Sequence, residues 1–154
     1  MKEEEFIRGI ICQVLVKEKS RDLIYSVLNE FIPDYEPLNL DFIGKPNDEA
    51  YEFESEDEII SYYTHTKGVR QTFYWNKYEN NPNRIMVGAN ILEDDQIVFS
   101  LTVDGTKEKK AEYLKRLKTL LNSETGVISY INPVGYDNGQ DFETKYGSIK
   151  YKFE

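Results

Sequence analysis

Apolar and polar positions alternate along the middle of the chain. Between Val69 and Tyr78, Phe73 and Trp75 fall on one side, while Thr72, Tyr74 and Tyr78 fall on the other. Ile85, Val87, Ala89 and Ile91 repeat the period, as do Ile97, Phe99, Leu101 and Val103. A period of two puts successive side chains on opposite faces of a strand, so three strands with one apolar side are predicted. Asn80-Asn81-Pro82-Asn83 and Glu93-Asp94-Asp95 turn the chain between them, which makes the strands antiparallel neighbours.

Elsewhere the spacing is helical. Ser20 offers an N-cap, Asp22 suits the helix dipole, and Leu23, Ile24, Val27, Leu28 and Phe31 form an apolar stripe that Pro33 ends near Ile32. Ser55 followed by Glu58 is a capping box, predicting a short helix through Ile59, Ile60, Tyr62 and Tyr63 that closes near Gly68. Gly105-Thr106 opens a third helix to about Asn122, with Leu114, Leu117, Leu120 and Leu121 as its stripe. Phe6 to Val16 is apolar and β-branched, which reads as a buried strand with a helix as the alternative. Leu38 to Ile43, Gly126 to Ile131 and Ser148 to Phe153 read as further strands, with a loop from Asn132-Pro133 through Gly139. The predicted fold is α+β: a mixed, mainly antiparallel sheet with about three helices packed on one face. No repeat, linker or low-complexity block divides residues 1–154, so one domain is expected.

Charge changes the picture more than composition does. Residues 1–64 carry 16 acidic and 6 basic side chains, and residues 65–154 carry 12 and 13, so the net charge of −9 lies entirely in the first part. Seven of the eleven residues from Asp48 to Glu58 are carboxylates, a density of like charge that repels itself unless something basic answers it. This balance argues against nucleic acid or an anionic membrane as partner, because phosphate recognition runs on clustered Lys and Arg. The lysines from Lys107 to Lys118 are diluted by Glu108 and Glu112, and read as the solvated face of a helix. No apolar stretch approaches the roughly 20 residues that cross a bilayer, and the acidic start, Met1-Lys2-Glu3-Glu4-Glu5, lacks the basic region of a signal peptide. A cytoplasmic protein is expected.

Candidate chemistry is thin. His65 is the only histidine and Cys12 the only cysteine, which excludes zinc coordination by nitrogen and sulfur and any intrachain disulfide. Cys12 sits in the apolar run Ile10-Ile11-Cys12-Gln13-Val14, where an inert buried thiol is expected, and His65 falls at a predicted helix end. The chain contains no G-x-S-x-G, G-x-G-x-x-G or G-x-x-x-x-G-K-[ST] pattern, and the acidic run lacks the spacing of an EF-hand loop. No catalytic residue, metal site or cofactor is predicted. The reading that remains is a binding surface: Tyr51, Glu52, Phe53, Glu54, Glu56, Asp57, Tyr62 and Tyr63, carboxylates interleaved with rings, facing a basic protein partner. Two other classes stay open. One is a small enzyme using carboxylates and tyrosines in a pocket on the uncovered sheet face, lined by Trp75, Tyr74, Tyr78 and Arg84; the other is a scaffolding module.

The segment from Val87 to Val103, the following Tyr113-Leu114-Lys115-Arg116-Leu117 helix and the strand Gly126-Val127-Ile128-Ser129-Tyr130-Ile131-Asn132-Pro133 together resemble small bacterial immunity proteins of polymorphic-toxin systems. The resemblance spans about residues 69–133 and is a pattern of strand, helix and strand, not a catalytic signature. Asn132 departs from it, standing where that pattern carries an acid before the proline. It implies a cytoplasmic antitoxin that occludes a cognate toxin without catalysis or cofactor.

Overall fold

The computed structural model describes the backbone of residues 6–38, 44–45 and 48–147, with side chains throughout except at 44–45 and 48–52. Among the described residues, seven strands and four helices follow one another in the order β1 (Ile7–Val16), α1 (Arg21–Phe31), β2 (Gly44–Lys45), β3 (Asp48–Glu52), α2 (Glu56–His65), β4 (Gln71–Trp75), β5 (Met86–Ile91), β6 (Ile97–Gly105), α3 (Lys107–Leu121), β7 (Gly126–Tyr130) and α4 (Gly139–Tyr146). Five strands form a sheet in the order β4-β5-β6-β1-β7, and β2 pairs with β3 in a separate ribbon. The fold is α+β. Every pairing among the described strands is antiparallel.

Register explains the core. Cys12 stands between Leu101 of β6 and Ile128 of β7, and Val14 lies beside Phe99. These side chains point to one face, where they join Ile24, Val27 and Leu28 of α1, Ile59 and Ile60 of α2, and Leu114 and Leu117 of α3. Each such side chain taken out of water contributes about 1.5–3 kcal/mol, which holds the three helices on that face. One residue along, Leu15 points the other way and packs with Val98, Val127 and Phe142. β1 is therefore buried on both sides from Ile10 to Leu15, which is why it reads as an unbroken apolar run and not as alternation.

The second cluster corrects the expectation of helices on one face. α4 lies on the opposite face and anchors there through Phe142, whose ring meets Tyr136 at 5.1 Å and Tyr146 at 5.0 Å. The predicted loop through Gly139 in fact ends in this helix, capped by Asn138, whose side chain accepts a hydrogen bond from Asp141 N–H at 2.8 Å. The expected caps of the other helices are present: Ser20 accepts from Leu23 N–H, Ser55 from Glu58 N–H, and Thr106 from Lys109 N–H. α2 stops at His65, short of Gly68. The strands expected over Leu38–Ile43 and Ser148–Phe153 lie outside the described residues, apart from Leu38 itself. Among the described residues, no helix is long and apolar enough to cross a membrane.

Candidate functional site

The start of α2 gathers the acidic run, and the chain's own groups engage much of it. Glu58 N–H donates to the N-cap Ser55 Oγ at 3.1 Å, and Glu58 Oε2 accepts from Glu54 N–H, one residue before the cap, at 3.2 Å. Glu56 turns inward. Its Oε2 accepts from Leu38 N–H at 2.7 Å and Trp75 Nε1–H at 3.3 Å, and its Oε1 from the Tyr35 hydroxyl at 3.2 Å. Asp57 stays at the surface, where its Oδ1 accepts from Arg21 Nε at 2.8 Å and from the Tyr25 hydroxyl at 2.8 Å. Those two hydrogen bonds, Tyr25 first and Arg21 second, hold the Asp57 carboxyl below its ordinary value of 3.8. Burial pushes the Tyr25 hydroxyl up, and its hydrogen bond to Asp57 adds to the rise.

The rings of the predicted surface divide. Phe53 is 4% exposed and Tyr63 is 1% exposed, so neither presents a face to a partner. They belong to a chain of aromatic contacts running Phe53, Tyr63, Phe73 and Trp75, with centroid separations of 6.2, 5.8 and 5.6 Å. Such pairs add about 0.5–1.5 kcal/mol each to the burial of the rings, so the sequence's ring-and-acid interleaving is here partly core packing. Tyr62 is half-buried and meets Tyr63 edge-on at 4.9 Å. Glu54 is exposed. Tyr51 and Glu52 belong to β3, and their side chains lie outside the description. Of the eight predicted residues, Glu54 and Asp57 are thus exposed and Tyr62 half-buried, while Phe53, Glu56 and Tyr63 serve the interior.

Cys12 and His65 are not brought together. The thiol is pushed up to about 12 by burial, against a smaller opposing pull from Lys110, and it donates to Lys110 O at 3.8 Å. His65 is exposed, with Nδ1 2.7 Å from Ser61 O. Among the described residues, no group of three or more His, Cys, Asp or Glu side chains is arranged to hold a metal ion.

Two hollows open among the described residues. A cleft of 790 Å³ opens between the loop after β1 and the end of α2, lined by Lys19, Arg21, His65 and Lys67 together with Asp22 and Asp95. Its charges answer one another: Lys19 Nζ lies 2.5 Å from Thr66 O and 3.2 Å from Asp95. The second is a groove of 220 Å³ on the α4 side of the sheet, floored by Gly88, Asn90 and Ser100 and walled by Tyr74 and the loop Pro133–Tyr136. Of the pocket residues expected from the sequence, only Tyr74 lines it. Trp75 points into the opposite core, and Tyr78 and Arg84 are exposed elsewhere. Among the described residues, no carboxylate lines this groove.

No family model, curated protein or solved structure matches the chain.

Sequence reasoning missed the groove because its parts come from four strands and a loop. Gly88 was the available signal. A glycine inside an alternating strand marks a place where something approaches the backbone closely, and a Cβ there would collide with Ser100 Oγ and stand 3.0 Å from the Tyr74 ring.

Proposed function

We propose that the protein is a non-catalytic binding protein that captures a basic protein partner through the acidic corner formed by β3 and the first turn of α2. This is the role of the immunity proteins its sequence resembles: a cytoplasmic inhibitor that covers a toxin without acting on it chemically. The observation that carries the reading is the concentration of charge. The whole excess of −9 falls before residue 65, and seven carboxylates fall between Asp48 and Glu58. Arg21 answers Asp57, and Glu56 is consumed internally, but Glu54 stands exposed beside them. A field of this sign draws a cationic protein into the right orientation and raises its association rate, an effect that salt screens.

The enzyme alternative draws no support from the sheet groove, whose lining holds tyrosines but no carboxylate. The test uses the intact chain as bait in an extract of its native host, with E52K/E54K beside it. Glu56 and Asp57 are left alone, because reversing either would disturb the fold and confuse the outcome. Capture of a basic protein that weakens and loses its salt dependence in the variant is expected. Equal capture by the folded variant refutes the acidic corner as the binding surface.

A further inference from the structure

We infer that the groove on the α4 side of the sheet is a binding site for one neutral sugar ring. The inference rests on a face of the sheet remote from the acidic corner, so its failure leaves the reading above untouched.

The first ground is the absence of ionised groups. Charged residues make up 31% of the chain, yet among the described residues no Asp, Glu, Lys or Arg lines this groove. A charged ligand would lose hydration there with no counter-charge to replace it. A nucleotide would bring a phosphate with no cation in the lining to meet it, since Arg70, the guanidinium beside Tyr136, lies outside the lining and is held by Glu93 at 2.6 Å and Asp137 O at 2.8 Å.

The second ground is a flat aromatic face. Tyr74 is 53% exposed, although it sits in a strand whose neighbours Phe73 and Trp75 are buried. Its ring packs over Gly88, where the missing side chain leaves room for it, and its open side borders the groove. The C–H face of a pyranose lies well on such a ring, because its weakly positive hydrogens meet the negative face of the π-system.

The third ground is a fixed set of uncharged hydrogen-bonding groups. Thr72 Oγ1 donates to Asn90 Oδ1 at 2.9 Å, and Asn90 Nδ2 donates to the Tyr136 hydroxyl at 2.6 Å. The amide is thereby locked in orientation. Its second N–H, its second lone pair and the Tyr136 hydroxyl proton are left for a ligand that both donates and accepts. Hydroxyls on a ring do both. A purely apolar occupant would leave these groups without partners, at the expense of affinity.

The fourth ground is that the wall is held in place. Val134 N–H donates to the buried Gln13 Oε1 at 2.9 Å, which ties the 133–136 loop to β1. The chain enters that loop through Ile131, which is 78% exposed and held at φ 70°, a conformation a β-branched residue seldom adopts. Ile131 N–H donates to Gly9 O at 2.8 Å and Asn132 N–H to Tyr130 O at 2.7 Å, closing a tight turn around it. Strain of this kind persists where surrounding contacts impose it, and here it aims the loop at the groove. The volume of 220 Å³ falls below the roughly 300–1,000 Å³ of sites for drug-sized molecules, which suits one ring and excludes a larger cofactor.

The test is an amide and side-chain NMR titration of the full chain with methyl glucoside, methyl galactoside and methyl N-acetylglucosaminide, and with glucuronate as the charged control. At least one neutral glycoside is expected to produce saturable shifts at the Gly88 amide, the Asn90 side-chain amide and Gly135, with millimolar affinity. Tyr74→Ala, a substitution at an exposed ring, is expected to weaken that binding at least tenfold while the rest of the spectrum stays native. Asn90→Asp should weaken it as well by placing a charge in the groove. Absence of saturable shifts with all three glycosides overturns the assignment. So do shifts that survive Tyr74→Ala unchanged, and glucuronate binding as tightly as its neutral counterpart.

Discussion

Glu56→Ala is the substitution that separates a structural carboxylate from a displayed one. Glu56 accepts three hydrogen bonds, from Leu38 N–H, Trp75 Nε1–H and the Tyr35 hydroxyl. The Tyr35 hydroxyl is able to turn toward water when its partner goes. The indole N–H belongs to a side chain 1% exposed, and the Leu38 N–H is fixed by the backbone, so both are left wanting. A polar group stranded in this way destabilises by about 1–3 kcal/mol, so the pair sums to roughly 4 kcal/mol as a central value. For a domain of 150–250 residues each kcal/mol moves the melting temperature by about 2–4 °C, so a fall of roughly 8–16 °C is expected. The assay is equilibrium urea unfolding followed by fluorescence of Trp75, the only tryptophan, whose indole also reports the local change. Glu56→Gln retains an acceptor oxygen and is expected to lose about 1 kcal/mol. Glu54→Lys, at an exposed position, should stay within about 0.5 kcal/mol of the parent. A Glu56→Ala protein as stable as Glu54→Lys refutes the reasoning, and returns Glu56 to the set of carboxylates available to a partner.

Other expectations follow from the same geometry. Cys12 should be inert to a thiol reagent at pH 8 in the folded protein and react fully in denaturant, since burial holds its thiol near pKa 12; rapid native-state labelling would contradict its placement. Asp57, Asp95 and Asp141 are held below their ordinary 3.8 by hydrogen bonds, led by Tyr25 O–H, Gly68 N–H and Asp137 N–H respectively. Their contribution is complete above the unfolded value and is lost as pH falls through the lower folded values, so acid unfolding below about pH 4 should grow shallower in Asp57→Asn. Ile131→Asn should raise stability by about 1 kcal/mol, because asparagine tolerates the left-handed backbone and the isoleucine packs little there. A fall in the melting temperature would show that Ile131 makes contacts worth more than its strain.

Strand and helix periodicity carried most of the fold. β5, β6 and α3 follow directly from alternation and from the leucine stripe, because each has one buried face. α4 escaped notice because it spans eight residues and buries only Phe142 among its large side chains, too little for a periodic signal. Its N-cap, Asn138 with Asp141, was the one local clue. The acidic corner was legible as a concentration of charge but not as an arrangement. Whether Glu56 faces solvent depends on Tyr35, Leu38 and Trp75, which approach from 18 to 21 residues away in either direction, and no local pattern encodes that meeting. Phe53 and Tyr63 misled for the same reason. Rings next to carboxylates suit an interface and a core margin equally well until Phe73 and Trp75 are seen beside them.

The sheet order sets a timetable for biosynthesis. β1 is the first strand of the sheet to leave the ribosome, yet its two neighbours are β6 and β7, which end at residues 105 and 130. Until both have emerged, a ten-residue strand with apolar side chains on each face has no partner along one or both of its edges. Closing it in requires loops of about a hundred residues, which slows folding relative to a chain of local hairpins. A nascent chain halted near residue 110 would therefore be sticky, and protease resistance should arrive abruptly once Tyr130 clears the exit tunnel.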